Sequence, residues 1–185
     1  MEDTIQEVNK SKNIRVALIV IFILIFGGII LFLFKNLEEP TQYQGGKMGG
    51  KAAPQVALMS MVDGKTYTLS DLKGKTIFVN FFNTWCIPCN EEEPVLEKFV
   101  EDNKSDPNFV FISIARQDSK DNIKSWISET KPTQDVVFDE GEISLAFGVT
   151  GQPETFSINP KGIISGTLLA RASEKSLYDM LEASK

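Results

Sequence analysis

An α/β sandwich built on a mixed sheet is the fold class this sequence predicts, and three observations predict it. Continuous β-rich apolar runs alternate with segments of helical period, and a pair of strands joined by a tight turn closes the chain before a last helix. The run "TIFVNFF", Thr76 to Phe82, is apolar on nearly both faces, as expected of a central buried strand. In "EEEPVLEKFVEDN" the residues Val95, Leu96, Phe99 and Val100 recur at helical spacing. "NFVFISIA" reads as a second buried strand, and "SKDNIKSWISET" as a helix with Ile123, Trp126 and Ile127 on one face. "DVVFD" is a further short strand, and Glu142 to Phe147 a short helix. "GVTGQPETFSINPKGIISGTLL" gives two strands about a turn at Asn159 to Gly162, after which Ser173 caps a helix ending near Ala183. Ahead of all these, "QVALMSMVDGKTYTLSDLKGK" holds two alternating runs about Asp63-Gly64, a hairpin signal, followed by a helical turn that Ser70 is expected to cap.

The chain has 185 residues, more than this one domain needs. From Val16 to Phe34 it reads "VALIVIFILIFGGIILFLF", uncharged throughout. As a helix this run is roughly 29 Å long, close to the ~30 Å hydrocarbon core of a bilayer. A cleaved signal peptide has a shorter apolar region ending in a small-residue site, and "FLFKNLEEP" offers none. The expected organisation is a cytoplasmic tail at 1–15, an uncleaved transmembrane helix at 16–34, a linker at 35–54 and a single domain at 55–185. Lys10, Lys12 and Arg15 bunch before the span while Lys35 and Lys47 follow it, which favours the tail inside and the domain outside the cytoplasm. The linker is glycine-rich and unpatterned, with an r.m.s. reach of roughly 24 Å. The domain is therefore expected to work close to the membrane surface.

Charge and composition narrow the chemistry. From Asn36 onward 15 basic residues stand against 22 acidic ones, a net −7 spread along the sequence, so nucleic acid is excluded as a partner. There is no histidine, which removes Ser/His/Asp and Cys/His catalysis, His-ligated zinc and a haem-binding CxxCH.

Both cysteines lie in "NTWCIPCNEEEP", Asn83 to Pro94, where the buried strand gives way to a helix. A structural metal site would need a second CxxC or histidines, and an iron–sulfur cluster shared across a dimer has no other support. A redox dithiol fits the position. At a helix start, unpaired N–H groups and the positive end of the dipole favour a thiolate, so Cys86 is the expected nucleophile. Cys89, one turn on, is placed to attack the mixed disulfide that Cys86 forms. Pro88 falls in the first helical turn, where a missing N–H costs little, and Pro94 falls inside the helix.

The three glutamates divide. Glu91 and Glu93 read as a solvated pair that compensates the helix dipole. Glu92 follows Cys89 by three residues and shares its side of the helix; it is either solvated as well, or a partly desolvated proton carrier for Cys89. The acids oppose the thiolate that the helix start favours, a balance suited to a reductant.

"FFNTWCIPCNEEEP" with "GVTGQPETF" some sixty residues later resembles the membrane-anchored thioredoxin-like thiol–disulfide oxidoreductases of the TlpA, ResA and CcmG (DsbE) type, over roughly residues 52 to 184. The resemblance implies a thioredoxin fold with an amino-terminal hairpin and a central strand–helix insertion, here about Lys120 to Gly141. It implies that Pro153 is cis, that Glu92 is the family's glutamate, and that Trp85, Ile87, Pro88, Gln152 and Pro153 meet the substrate. Thioredoxin itself carries a buried acid where this chain has Asn80. No cofactor beyond the Cys86–Cys89 dithiol is implied. The implied partners are an extracytoplasmic protein disulfide, such as the haem-site cysteines of apocytochrome c, and a membrane thiol-electron transporter of the CcdA/DsbD type.

Two other readings stand beside it. "DGKTYTLSDLKGKTIFVNFF" also resembles the start of peroxiredoxins, although Thr84 lies two residues before Cys86 where that group has three. A non-catalytic thioredoxin-like metallochaperone is the other.

Overall fold

The computed structural model describes residue 15, residues 18–32 and residues 48–185. The expected tail apart from Arg15, the ends of the expected span and most of the expected linker lie outside the described residues. The chain divides into two units, Met1–Glu39 and Pro40–Lys185. In the first, residues 18–32 form a helix, α1, whose apolar side chains are exposed, among them Phe22, Leu24 and Leu31. No helix among the described residues is long and apolar enough to cross a membrane.

The second unit is organised by β3 (Thr76–Phe82), in which every residue is buried. It pairs in parallel with β4 (Phe109–Arg116) and antiparallel with β6 (Glu154–Ile158). With β5 (Asp135–Asp139) beyond β4 and β7 (Ile164–Leu168) beyond β6, the sheet order is β5-β4-β3-β6-β7. Because successive side chains of a strand point to opposite faces, β3 serves two cores. Phe78 packs with Leu96, Phe99 and Val100 of α2 (Ile87–Asn103) and with Leu177 and Met180 of α5 (Glu174–Ala183). Phe82, on the same face, joins Ala115, Val136, Ile123 of α3 (Lys120–Thr130) and both cysteines. Ile77, Val79 and Phe81 face the other core, with Leu58, Leu69 and with Ile143 and Phe147 of α4 (Glu142–Phe147). Each of the fully buried phenylalanines contributes on the order of 2–3 kcal/mol through burial. Asn80 is the one polar side chain of β3 placed mid-strand in this setting, and it is 1% exposed.

The amino-terminal hairpin and the edge strand β5 brace one another. β1 (Ala57–Met59) and β2 (Thr66–Thr68) pair antiparallel, with Gly64 at φ 75° in the connection. Ser60 bridges to Val137, and the Met61 N–H donates to the Val136 carbonyl at 2.7 Å. Asp135 accepts from the Ser60 hydroxyl and the Tyr67 hydroxyl, both at 2.6 Å. The free edge of β5 is thereby covered rather than left as a template for another chain.

Two expectations are corrected. The short 3-10 turn Leu69–Leu72 is capped by Thr68 and not by Ser70: Thr68 is extended, and both its N–H and its hydroxyl donate to Asp71 Oδ2, at 2.7 and 2.8 Å. The last residues of the stretch read as linker are docked, with Gly50 N–H on the Ile164 carbonyl and Ala53 N–H on the Gly162 carbonyl, both at 2.9 Å. The turn between β6 and β7 leaves backbone groups that these residues satisfy.

Candidate active site

Strand β3 runs out at Phe82, and Cys86 becomes the N-cap of α2, with extended backbone at φ −80° and ψ 110°. Its sulfur accepts from the Cys89 N–H at 3.2 Å, so it occupies the place where a helix has an unpaired donor to offer. Pro88 sits in the first turn, where no N–H is missed. Cys86 and Cys89 form a disulfide, their Cα atoms 5.2 Å apart. Both are buried, against Phe82, Ala115, Ile123 and Val136, while Trp85 and Ile87 on either side of Cys86 are 61% and 72% exposed.

The turn into the helix is tied to the loop after β4. Asp118 accepts the N–H and the hydroxyl of Thr84, both at 2.7 Å, and the Trp85 indole donates to the Gln117 carbonyl at 3.2 Å. Burial opposes the charge of Asp118, but its bonds from Thr84, Asn122 and Ser119 outweigh that and hold the carboxyl below its ordinary value.

The glutamates occupy three environments. Glu91 is exposed and paired with Arg171 at 2.5 Å. Glu92 is 1% exposed, its Oε1 accepting from Asn80 Nδ2 at 3.0 Å and its Oε2 from the Ala172 N–H at 2.6 Å. Burial raises its pKa to about 7, against the lowering effect of those two bonds and of Arg171. Of the two readings of Glu92, the solvated one is therefore ruled out. The expectation for Glu93 is corrected too: it is half-buried, accepts from Gln134 Nε2 at 3.2 Å, and is also pushed up to about 7 by burial, with Glu97 and Glu92 adding to it. Glu93 thus meets Gln134, in the segment entering β5, instead of standing free in water.

Asn80 also donates to Thr155 Oγ1 at 3.0 Å, and Thr155 and Ser113 are its register partners on β6 and β4. A polar file thus crosses the sheet beneath the dithiol helix. Directly ahead of β6 the Gln152–Pro153 peptide bond is cis. The loop before it is held by side chains: Glu154, buried and raised by that burial, accepts from the Thr150 N–H at 3.3 Å, and Arg116 Nη1 donates to Gln152 Oε1 at 2.7 Å. Pro88, Gln152, Pro153, Leu169 and Arg171 line one cleft of about 320 Å³, so the dithiol turn and the cis-proline loop share a wall-to-wall opening.

Among the described residues no group of three or more His, Cys, Asp or Glu is arranged to hold a metal ion. Arg116, Asp118 and Gln134 are the site neighbours that sequence reasoning missed. Each lies 34 to 41 positions from its partner in the chain, and no local pattern marks it.

A vicinal dithiol capping the helix after a central strand, with a cis-proline loop beside it, defines a thiol–disulfide oxidoreductase of thioredoxin-like fold. The chain belongs to the AhpC/TSA family, whose model matches residues 49–167. It is 33% identical over 168 residues to the thiol:disulfide interchange protein DsbE of Pseudomonas fluorescens, covering 90% of this chain and 92% of that one. It is 29% identical to the thiol-disulfide oxidoreductase ResA of Bacillus cereus, over 86% of this chain and 95% of that one. A crystal structure of a thiol:disulfide interchange protein from Chlorobium tepidum superposes with a TM-score of 0.65 at 29% identity, over 72% of this chain and 94% of that one.

Proposed function

We propose that this oxidoreductase is a membrane-tethered reductant of protein disulfides outside the cytoplasm. The observation that carries the reading is the Cys86–Cys89 pair at the head of α2, beside the cleft between Pro88 and the Gln152–Pro153 loop. In the reduced enzyme the Cys86 thiolate attacks one sulfur of a substrate disulfide, and the other substrate sulfur leaves as a thiolate. Cys89 then loses its proton and attacks Cys86, releasing the second substrate thiol and leaving the enzyme disulfide. Glu92, buried below the helix with a pKa raised to about 7, takes and returns the Cys89 proton. Trp85, Ile87, Pro88, Gln152 and Pro153 bind the substrate segment, as their exposure or their place in the cleft supports.

Each cycle consumes two electrons, which a membrane thiol transporter of the CcdA/DsbD type supplies. Apocytochrome c is the substrate that the likeness to DsbE supports. Residues 16–34 form the anchor with the amino terminus in the cytoplasm; the exposed apolar side chains of 18–32 and the basic residues before them support this. The peroxidase alternative is weakened because the Thr84 hydroxyl is committed to Asp118.

The test is a trapping experiment in membranes. A Cys89→Ser variant should accumulate mixed disulfides through Cys86 with extracytoplasmic proteins and lose them on adding reductant. If none forms, while peroxide is turned over rapidly by the wild-type chain, the reductase reading is wrong.

A further inference from the structure

We propose that Arg116 is a positioning residue for polypeptide substrates: its guanidinium fixes the side chain of Gln152 and so sets the loop edge that an extended substrate follows. The inference rests on the reading of the chain as a reductant of protein disulfides.

Arg116 is the last residue of β4 and lies in register with Asp139 of β5. Its side chain is half-buried, and its Nε is buried without a partner, so the Nη1 bond to Gln152 Oε1 is the polar contact that orients the group. Hydrogen bonds that involve a charged partner are roughly twice as strong as neutral ones, and a 2.7 Å bond to a residue at a loop end restrains that residue strongly. Glu154 lies near enough for the Arg116 charge to favour its ionised form. The two ends of the loop are therefore held from inside, Thr150 by Glu154 and Gln152 by Arg116.

The same link stands between two openings. On one side is the 320 Å³ cleft with Pro88, Pro153 and Leu169; on the other a cleft of about 500 Å³ is lined by Arg116, Gln117, Phe138, Leu145 and Val149. Leu169 and Leu145 are 49% and 81% exposed, so each opening carries an unburied apolar side chain. A polypeptide crossing Gln152 has an apolar contact available in both directions, whereas a small disulfide reaches the sulfurs without spanning either. Releasing Gln152 leaves a side chain that the polypeptide must order for itself, at a cost in affinity.

The experiment uses the purified full chain, reduced beforehand, with two oxidants: a short peptide closed by a disulfide, and 5,5′-dithiobis(2-nitrobenzoate) as reference. The readout is the ratio of kcat/KM for the peptide to the rate constant for the reference, with thermal midpoints recorded. Arg116→Met should lower the ratio about 5-fold through KM, and Arg116→Lys should recover part of it. Gln152→Leu should give a similar loss, and the double variant no more than either single one. An unchanged ratio, additive losses, or an equal fall for both oxidants accompanied by a lower midpoint would overturn the proposal. A wild-type chain that reduces the reference but never the peptide would instead refute the protein-disulfide reading, and this inference with it.

Discussion

Asn80 and Glu92 meet beneath the disulfide, the amide Nδ2 donating to the carboxyl Oε1 at 3.0 Å. One comes from the middle of the central strand and the other from the second turn of the dithiol helix, and both are 1% exposed. A carboxyl in that position is costly to ionise, and the bond from Asn80 only partly offsets the cost.

The first consequence is a pH dependence of stability. The Glu92 carboxyl is raised from its ordinary 4.5 to about 7 on folding. The folded chain therefore keeps a proton that the unfolded chain has released. The associated stability is fully present below about pH 4.5 and is lost as pH rises through about 7. Glu93 acts in the same direction. The unfolding free energy of the wild-type chain from urea melts should be lower at pH 8 than at pH 5, and Glu92→Gln should reduce that difference by about 2–3 kcal/mol. An undiminished difference in the variant would contradict the burial of an ionisable Glu92.

Asn80→Ala removes a donor that lowers the Glu92 pKa and leaves both Glu92 Oε1 and Thr155 Oγ1 without it. Stability should fall by about 1–3 kcal/mol. The midpoint of the Glu92 titration, followed by carboxyl NMR, should move upward from its wild-type value of about 7. A midpoint that stays or drops would show that the amide does not serve the carboxylate form.

The brace between hairpin and edge strand is testable at Asp135. Its carboxyl takes hydroxyl protons from Ser60 and Tyr67, so Asp135→Ala leaves two part-buried donors unpaired. The expected loss is about 2–3 kcal/mol in denaturant melts, and the amides of the 57–68 hairpin should exchange faster. Exchange that quickens evenly across the whole sheet would argue against a local brace.

Gly166 on β7 has no room for a side chain. A Cβ there would stand 2.9 Å from Ser157 Oγ and 3.5 Å from Met180, the former bonded within the sheet and the latter packed from α5. Gly166→Ala should cost about 1–3 kcal/mol by overpacking. Thermal unfolding would read it directly; a neutral result would mean that the Ser157 hydroxyl turns aside at no cost.

Much of the fold was legible because its strands are continuous apolar runs. "TIFVNFF" and "DVVFD" are bounded in the sequence as they are in the sheet, and Ser173 caps α5 with its own side chain. Local capping misled once, at Ser70, where two adjacent hydroxyls compete and the aspartate that decides between them bonds back to Thr68. Glu93 was misread for a different reason. Its exposure depends on the segment entering β5, some forty residues away, and neither helix period nor dipole contains that information.

The sequence by itself determined that a thiol pair starts a helix after a central strand, that no histidine takes part, and which segments form the sheet. These follow from near neighbours along the chain, where spacing and side-chain chemistry act directly. Only the tertiary structure decided that Glu92 and Glu93 lose water while Glu91 keeps it, that Asn80 and the Ala172 N–H receive Glu92, and that Arg116 grips Gln152. Those outcomes depend on desolvation and on contacts between distant segments, and both exist only once the layers have packed.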